Sequence, residues 1–326
     1  MKKFFIVLVF SFSQIYVHAQ QDLESFFISG SLRIENEIKI HVPFDIYHEL
    51  YSYLRQNYTK EKIFLNDNDS TFSTIFDEDL FVDQYFDNQE MQLVLGHDGI
   101  RHRKRFVLND TTSRKHGREL VQIKLNSIDD NELSRGEIKF NVKHYDKFEA
   151  EYDSHPFLGL IERESRYLAI RELTRLKIDA LSLFPTIRIE QNRKRVYLRK
   201  DDMPLITVTL DSVVAFYGLK NISFIELELE INEILYTESD SSNRQEMETI
   251  SKQILSDLQK QFPSLKPDQT PKYNKAFNAL GIKEFKPPIN SSMGIVVVLI
   301  IIAVLSVAGY FLIRKIKGKK KNKIVV

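Results

Sequence analysis

Glu35-Asn36-Glu37-Ile38-Lys39 sets the strongest constraint on how this chain folds. Residues two apart on a β-strand share a face. Glu35, Glu37 and Lys39 therefore form one charged row, with Ile34, Ile38 and Ile40 on the opposite face. Comparable rows recur at Arg101-His102-Arg103, Arg135-Gly136-Glu137-Ile138-Lys139, Arg193-Lys194-Arg195 and Glu226-Leu227-Glu228-Leu229-Glu230. Isolated charges are not buried in apolar cores, so such rows face water, a metal or a ligand. A sheet that repeatedly turns charge to one side needs a wet interior. The expected fold is α+β: an antiparallel β-barrel tunnel of about eight strands, flanked by helices and holding a charged guest.

The two ends carry a different signal. Lys2 and Lys3, the apolar run Phe4 to Phe12 and Val17-His18-Ala19 read as a secretory signal peptide over 1–19. Gly294 to Ile313 is twenty residues without a formal charge, long enough for a transmembrane helix at ~1.5 Å per residue. Seven basic residues between Arg314 and Lys323 follow it and predict a cytoplasmic tail over 314–326. Together these predict a single-pass membrane protein: an extracytoplasmic domain over 21–283, placed in the bacterial periplasm at the inner membrane, a tether over 284–293 with Pro287-Pro288, and the bilayer as a partner. The chain has 46 basic and 45 acidic residues. Setting aside Lys2, Lys3 and the seven tail residues leaves 37 against 45, a balance of −8 for the exported part. An acidic domain is poorly suited to non-specific nucleic-acid binding, and no nucleic-acid partner is expected. The absence of cysteine excludes disulfides, thiolate metal sites and cysteine nucleophiles. The histidines, among them His97, His102 and His116, show no zinc spacing.

Between the ends, periodicity predicts a strand over 31–41 and a helix over 44–54, then a polar, turn-rich stretch over 66–76. A strand follows over 81–86, with a turn at Asp87-Asn88. Further strands are expected over 100–108, 120–125 and 136–142. One long helix or two shorter ones are expected over 158–183, ended by Pro185. A second group of strands is expected over 186–190, 195–199, 205–213 and 223–231, then helices over 245–262 and 273–280.

The ordered series of charged rows resembles the CYTH superfamily, the triphosphate tunnel metalloenzymes, together with the polyphosphate-polymerase domain of vacuolar transporter chaperones. Glu35, Glu37 and Lys39 match the Glu-x-Glu-x-Lys signature, and Tyr85-Phe86-Asp87 matches a Tyr-Phe-Asp segment. Arg101 and Arg103 match an Arg-x-Arg strand, Lys124 a strand lysine, and Arg135 with Glu137 an Arg-x-Glu strand. Pro185 and Arg193 satisfy a proline eight residues before a strand arginine. Asp211, Gly218 and Phe224-Ile225-Glu226-Leu227-Glu228 match the later CYTH pattern, and Pro271-Lys272-Tyr273 stands where the vacuolar type has Ser-Lys-Tyr. Thr207 departs from the arginine usual in that type. The series spans about Ser31 to Leu280.

The resemblance implies a tunnel binding inorganic triphosphate, polyphosphate or a related polyanion. Phosphate contacts fall to Arg101, Arg103, Lys124, Arg135, Arg193 and Lys272, because arginine forks match phosphate oxygens and lysine adds a compact charge. Arg193 competes with Arg195 for the inward position. Anions alone do not call for Glu35, Glu37, Glu137, Glu226 and Glu228 nearby. A hard cation, Mg²⁺ or Mn²⁺, does. Glu35, Glu37, Lys39, Glu226 and Glu228 form the expected catalytic set. Asp211 either orients an arginine or binds metal, and Glu230 continues the acidic face. The expected activity is metal-dependent triphosphate or polyphosphate hydrolysis. A polyphosphate polymerase and a non-catalytic polyanion-binding domain are the alternatives.

Overall fold

The charged rows close on themselves. A computed structural model describes residues 32–59, 72–109, 113–126, 134–142, 153–200 and 203–287. Nine strands are present among them: β1 (Leu32–Val42), β2 (Phe72–Asp87), β3 (Gly99–Asn109), β4 (Ser113–Lys124), β5 (Ser134–Asn141), β6 (Phe184–Lys200), β7 (Met203–Tyr217), β8 (Lys220–Ile231) and the two-residue β9 (Lys266–Pro267). The helices are α1 (Tyr47–Asn57), α2 (Gln92–Leu95), α3 (Arg163–Arg175), α4 (Glu233–Glu238), α5 (Ser241–Gln261) and α6 (Lys272–Leu280). The strand order is β5-β4-β3-β2-β6-β7-β8-β1-β9, all antiparallel, and β1 also pairs with β5. β1 does this by changing partner at Asn36. Its first half lies beside β5, with Glu35 opposite Arg135, and its second half beside β8, with Lys39 opposite Glu228.

Alternation then sorts the side chains. Odd-numbered residues of β1, β2, β3, β5, β6 and β7, and even-numbered residues of β4 and β8, turn inward. The apolar partners turn outward and are covered by helices. Ile40, Val208, Leu210, Leu227 and Leu229 pack under α1 and α5, which contribute Leu50, Leu54, Met247, Ile254 and Leu258. These helix positions recur at three- and four-residue multiples, the stripe a helix needs to lie on a sheet. Asp240 starts α5 by accepting a hydrogen bond from the Asn243 N–H at 2.9 Å. On the other flank Ile100, Val121, Ile123, Ile138 and Phe140 pack against Phe157, Leu158, Ala169 and Leu173 of the α3 region. The main apolar layers therefore lie outside the ring.

A third apolar cluster stops one end. Ile187, Ile189, Val213 and Ala215 continue the inward rows of β6 and β7, and Tyr273, Ala276 and Leu280 of α6 pack against them. Gly281 closes α6 in the left-handed region at φ 60°.

Several expectations require correction. In place of an antiparallel barrel of about eight strands with a membrane helix, the α+β chain has a nine-stranded sheet with ring-like bonding. Among the described residues no helix is long and apolar enough to cross a membrane. The longest, α5, carries Arg244, Glu246, Glu248, Lys252, Asp257 and Lys260 along its length. The expected signal peptide over 1–19, transmembrane helix over 294–313 and basic tail over 314–326 lie outside the described residues. No described helix supports the single-pass placement, the bilayer partner or the extracytoplasmic location that rested on it. The described residues through Phe285 belong to one unit, and the second unit, Lys286–Val326, lies almost wholly outside the described set.

Local boundaries moved as well. β2 extends back to Phe72, into the stretch expected to be turn-rich. The two strands expected over 186–199 are one, β6, because its polar middle pairs on both sides, with β2 and with β7. The helix expected to reach residue 183 ends at Arg175, where Lys177 adopts φ 58° and breaks the ladder.

Candidate functional site

The inward rows line a cavity of about 320 Å³ inside the ring, within the range of ~300–1,000 Å³ usual for small-ligand sites. Twelve basic side chains line it against six acidic ones. Five more acids, Asp79, Asp83, Glu137, Asp211 and Glu226, are fully buried against those basic groups. The surface facing the cavity is therefore cationic, while the charge of the whole interior nearly balances.

Five arginines of the basic wall share three buried carboxylates. Arg103 donates from Nε and Nη2 to the two oxygens of Asp83 at 2.7 and 2.6 Å, and Arg101 Nη1 reaches Asp83 Oδ2 at 3.3 Å. Gln191 Nε2 donates to the same oxygen at 2.6 Å. Burial alone would raise the Asp83 carboxyl, but Arg103 and Arg101 pull it down to about 2. Asp79 pairs with Arg105 and Arg195 at 3.0 Å each. Asp211 takes a bidentate fork from Arg193, Nε to Oδ1 at 2.8 Å and Nη2 to Oδ2 at 2.6 Å. Such forks fix a guanidinium's plane before any ligand arrives. Phe81 sits among three of them, with the guanidinium carbons of Arg103, Arg195 and Arg193 at 4.6, 5.1 and 5.2 Å from its ring centre.

A chain of side chains links β3 to β5. Arg101 Nε donates to Gln122 Oε1 at 2.7 Å, and Gln122 Nε2 donates to Glu137 Oε1 at 2.6 Å. Burial pushes the Glu137 carboxyl up, but Lys139 at 2.7 Å and Lys124 at 3.7 Å pull it further down, to about 2. Lys124 Nζ also donates to Glu35 Oε2 at 2.6 Å, and Lys39 bonds Glu37.

The acidic wall is built by β7 and β8. Lys272, at the start of α6, places its ammonium 2.6 Å from Asp211 Oδ2, 2.6 Å from Glu228 Oε1 and 3.0 Å from Glu226 Oε1. Arg193 Nη2 adds a bond to Glu228 Oε2 at 2.9 Å, and Lys275 bonds Glu226 Oε2. Burial raises the Glu228 carboxyl, yet Lys272 and Arg193 hold it well below the usual carboxylate range. Burial pushes Glu226 upward against the pull of Lys272. Glu230 is pushed up to about 8 by burial and by the charges of Glu35 and Glu37, against the pull of Lys139. Behind the lysine, Tyr273 stacks on Tyr85, ring centres 4.5 Å apart, and donates to Asp87 Oδ2 at 3.1 Å.

The expected site residues are thus brought together. Glu35, Glu37, Lys39, Arg101, Arg103, Lys124, Arg135, Arg193, Glu228 and Lys272 line the cavity, and Glu137 and Glu226 lie buried among them. Arg193 and Arg195 do not compete: two residues apart on one strand, both face inward. Asp79, Asp83, Gln122, Gln191, Arg105 and Lys275 were not anticipated, and Lys139 was placed in a charged row without a role. The period-2 placement of Asp79 and Asp83 about Phe81 was the available signal. Among the described residues no group of three His, Asp or Glu is disposed to hold a metal ion. The residues expected to bind Mg²⁺ or Mn²⁺ do not fit one as arranged, since every such carboxylate is closed by an ammonium or guanidinium of the chain.

Charged rows turned inward on a ring-like sheet resemble the arrangement that the CYTH likeness of the sequence implied, though not as the barrel expected. No protein-family model and no curated protein sequence matches the chain. Similar solved structures include the PH1819 protein of Pyrococcus horikoshii, at 15% identity over 78% of this chain and 94% of that one, TM-score 0.37. The Hippeastrum protein HpAC1, described as having a dominant triphosphatase activity, is 13% identical over 74% and 93%, TM-score 0.39. The S. pombe RNA triphosphatase Pct1 is 8% identical over 75% and 91%, TM-score 0.35. Likenesses at this level do not bear on what the chain does.

Proposed function

We propose that the ring binds inorganic triphosphate or a short polyphosphate chain. One observation carries the reading: the cavity presents twelve basic side chains, and its central arginines are oriented by carboxylates buried behind them. A linear anion with dense oxygens is the ligand class that such oriented forks recognise.

Calorimetry with tripolyphosphate tests it directly. Saturable binding to the wild-type chain is expected, and Arg103→Ala weakens it by about 1.5–3 kcal/mol, the loss of a charge-assisted hydrogen bond. Equal affinity in wild type and Arg103→Ala would sink the proposal.

A second reading, hydrolysis of the phosphoanhydride with Mg²⁺ or Mn²⁺, is favoured by the acidic rows of β1 and β8 that face the same cavity. It draws on Glu35 and Glu37, which a metal would have to free from Lys124 and Lys39. Orthophosphate release from tripolyphosphate, with and without either metal, decides it. Chain growth from ATP in the same assay would instead indicate a polymerase, and binding without turnover leaves the first reading alone.

A further inference from the structure

The nest of Asp211, Glu226 and Glu228 is made by neighbouring strands in register, with Asp211 opposite Glu226 and Glu228 two residues on. Asp211 and Glu226 are fully buried, and Glu228 is nearly so. Three carboxylates so close together and out of water demand compensating charge. In many proteins a divalent ion supplies it. Here Lys272 does, with two hydrogen bonds of 2.6 Å and an ion-pair contact of 3.0 Å, one to each acid. Arg193 and Lys275 bring the cations of the cluster to three, matching the three acids. A divalent ion added to this set would leave a buried surplus of positive charge, and its oxygen shell at ~2.0–2.1 Å for Mg²⁺ would have to displace the ammonium.

The lysine is delivered rigidly. α6 enters after Pro271, and its next two residues are tied down: Tyr273 to Asp87, and Asn274 Nδ2 to the Val94 carbonyl at 2.6 Å. The helix cannot swing Lys272 out without breaking both ties.

We propose that Lys272 is a resident cation, built into the chain at the place a divalent ion would take, so that the Asp211–Glu226–Glu228 nest takes up no metal. The attraction of Asp211, Glu228 and Glu226 raises the Lys272 ammonium above its usual range, against the opposing effect of burial, which keeps it charged. The proposal stands apart from the phosphate reading, because the probe is the metal alone.

The test is Mn²⁺ binding to the whole chain, followed by the loss of the free-ion electron paramagnetic resonance signal without any phosphate. Wild type is expected to leave the signal undiminished. Lys272→Met is expected to bind one ion and diminish the signal, and Glu228→Gln in the Lys272→Met background is expected to lose that binding. A wild-type site abolished by Glu228→Gln overturns the proposal, as does a folded Lys272→Met chain that gains nothing. If Lys272→Met does not fold, reductive methylation of the wild type takes its place. Lys272 unmodified with and without Mn²⁺ supports the proposal, and Mn²⁺-dependent methylation of Lys272 refutes it.

Discussion

Replacing Asp83 by Asn would test whether the basic wall is held in place by the acids behind it. Asp83 is fully buried and accepts bonds from Arg103 twice, from Gln191 and from Arg101. Its carboxyl is lowered from 3.8 to about 2, which corresponds to about 2 kcal/mol of stability at neutral pH. Asn adds a second penalty: its amide turns a donor toward a guanidinium that is also a donor. Breaking a buried ion pair from one side costs about 3–5 kcal/mol, so a loss near 3 kcal/mol is expected, read by urea unfolding at pH 7. The pH dependence follows from the direction of the shift. A depressed carboxyl contributes fully above its ordinary value and loses that contribution as pH falls through about 2. The gap between wild type and Asp83→Asn should therefore narrow below pH ~4. A change within about 0.5 kcal/mol at pH 7, the size of an ordinary surface substitution, would refute the reasoning. So would a gap that widens in acid.

Glu230 should behave in the opposite sense. Its folded value is raised from 4.5 to about 8, so its contribution is complete at acid pH and is lost as pH rises through about 8. Glu230→Gln should flatten the fall in stability between pH 4.5 and about 8, and identical slopes in both proteins would count against the assignment. Leu227→Ala, on the outer face of the strand that carries Glu226 and Glu228, should cost about 2–5 kcal/mol in urea unfolding while leaving tripolyphosphate affinity unchanged. A matching loss of affinity would mean that the two faces are not independent.

The sequence reveals the inward rows because charge at period 2 has no other comfortable place in a sheet. Glu35, Glu37, Arg101, Arg103, Glu226 and Glu228 all fall where that argument puts them. The aspartates of β2 escaped it. Asp77, Asp79 and Asp83 have low strand propensity, and a run rich in them reads as a turn unless the long-range partners are known. Arg195, which reaches both Asp77 and Asp79, lies more than a hundred residues away. The cations that pair with the acids of β8 were hidden for a related reason. Lys272 and Lys275 sit on a helix remote in sequence from β7 and β8, and no local pattern shows that their ammonium groups fill the nest.

The partner change of β1 has a consequence in time. As the chain is made from its N-terminus, Leu32–Val42 exists before either strand it must join. Ile138, which pairs with Leu32, comes more than a hundred residues later, and Glu228, which pairs with Lys39, later still. Pairings so distant in sequence form slowly, and until they form, an unsatisfied strand edge is open to other chains. A nascent chain halted before β8 should therefore aggregate or be held by chaperones, however complete its earlier strands. The first of the described strands to be synthesised is among the last to be paired.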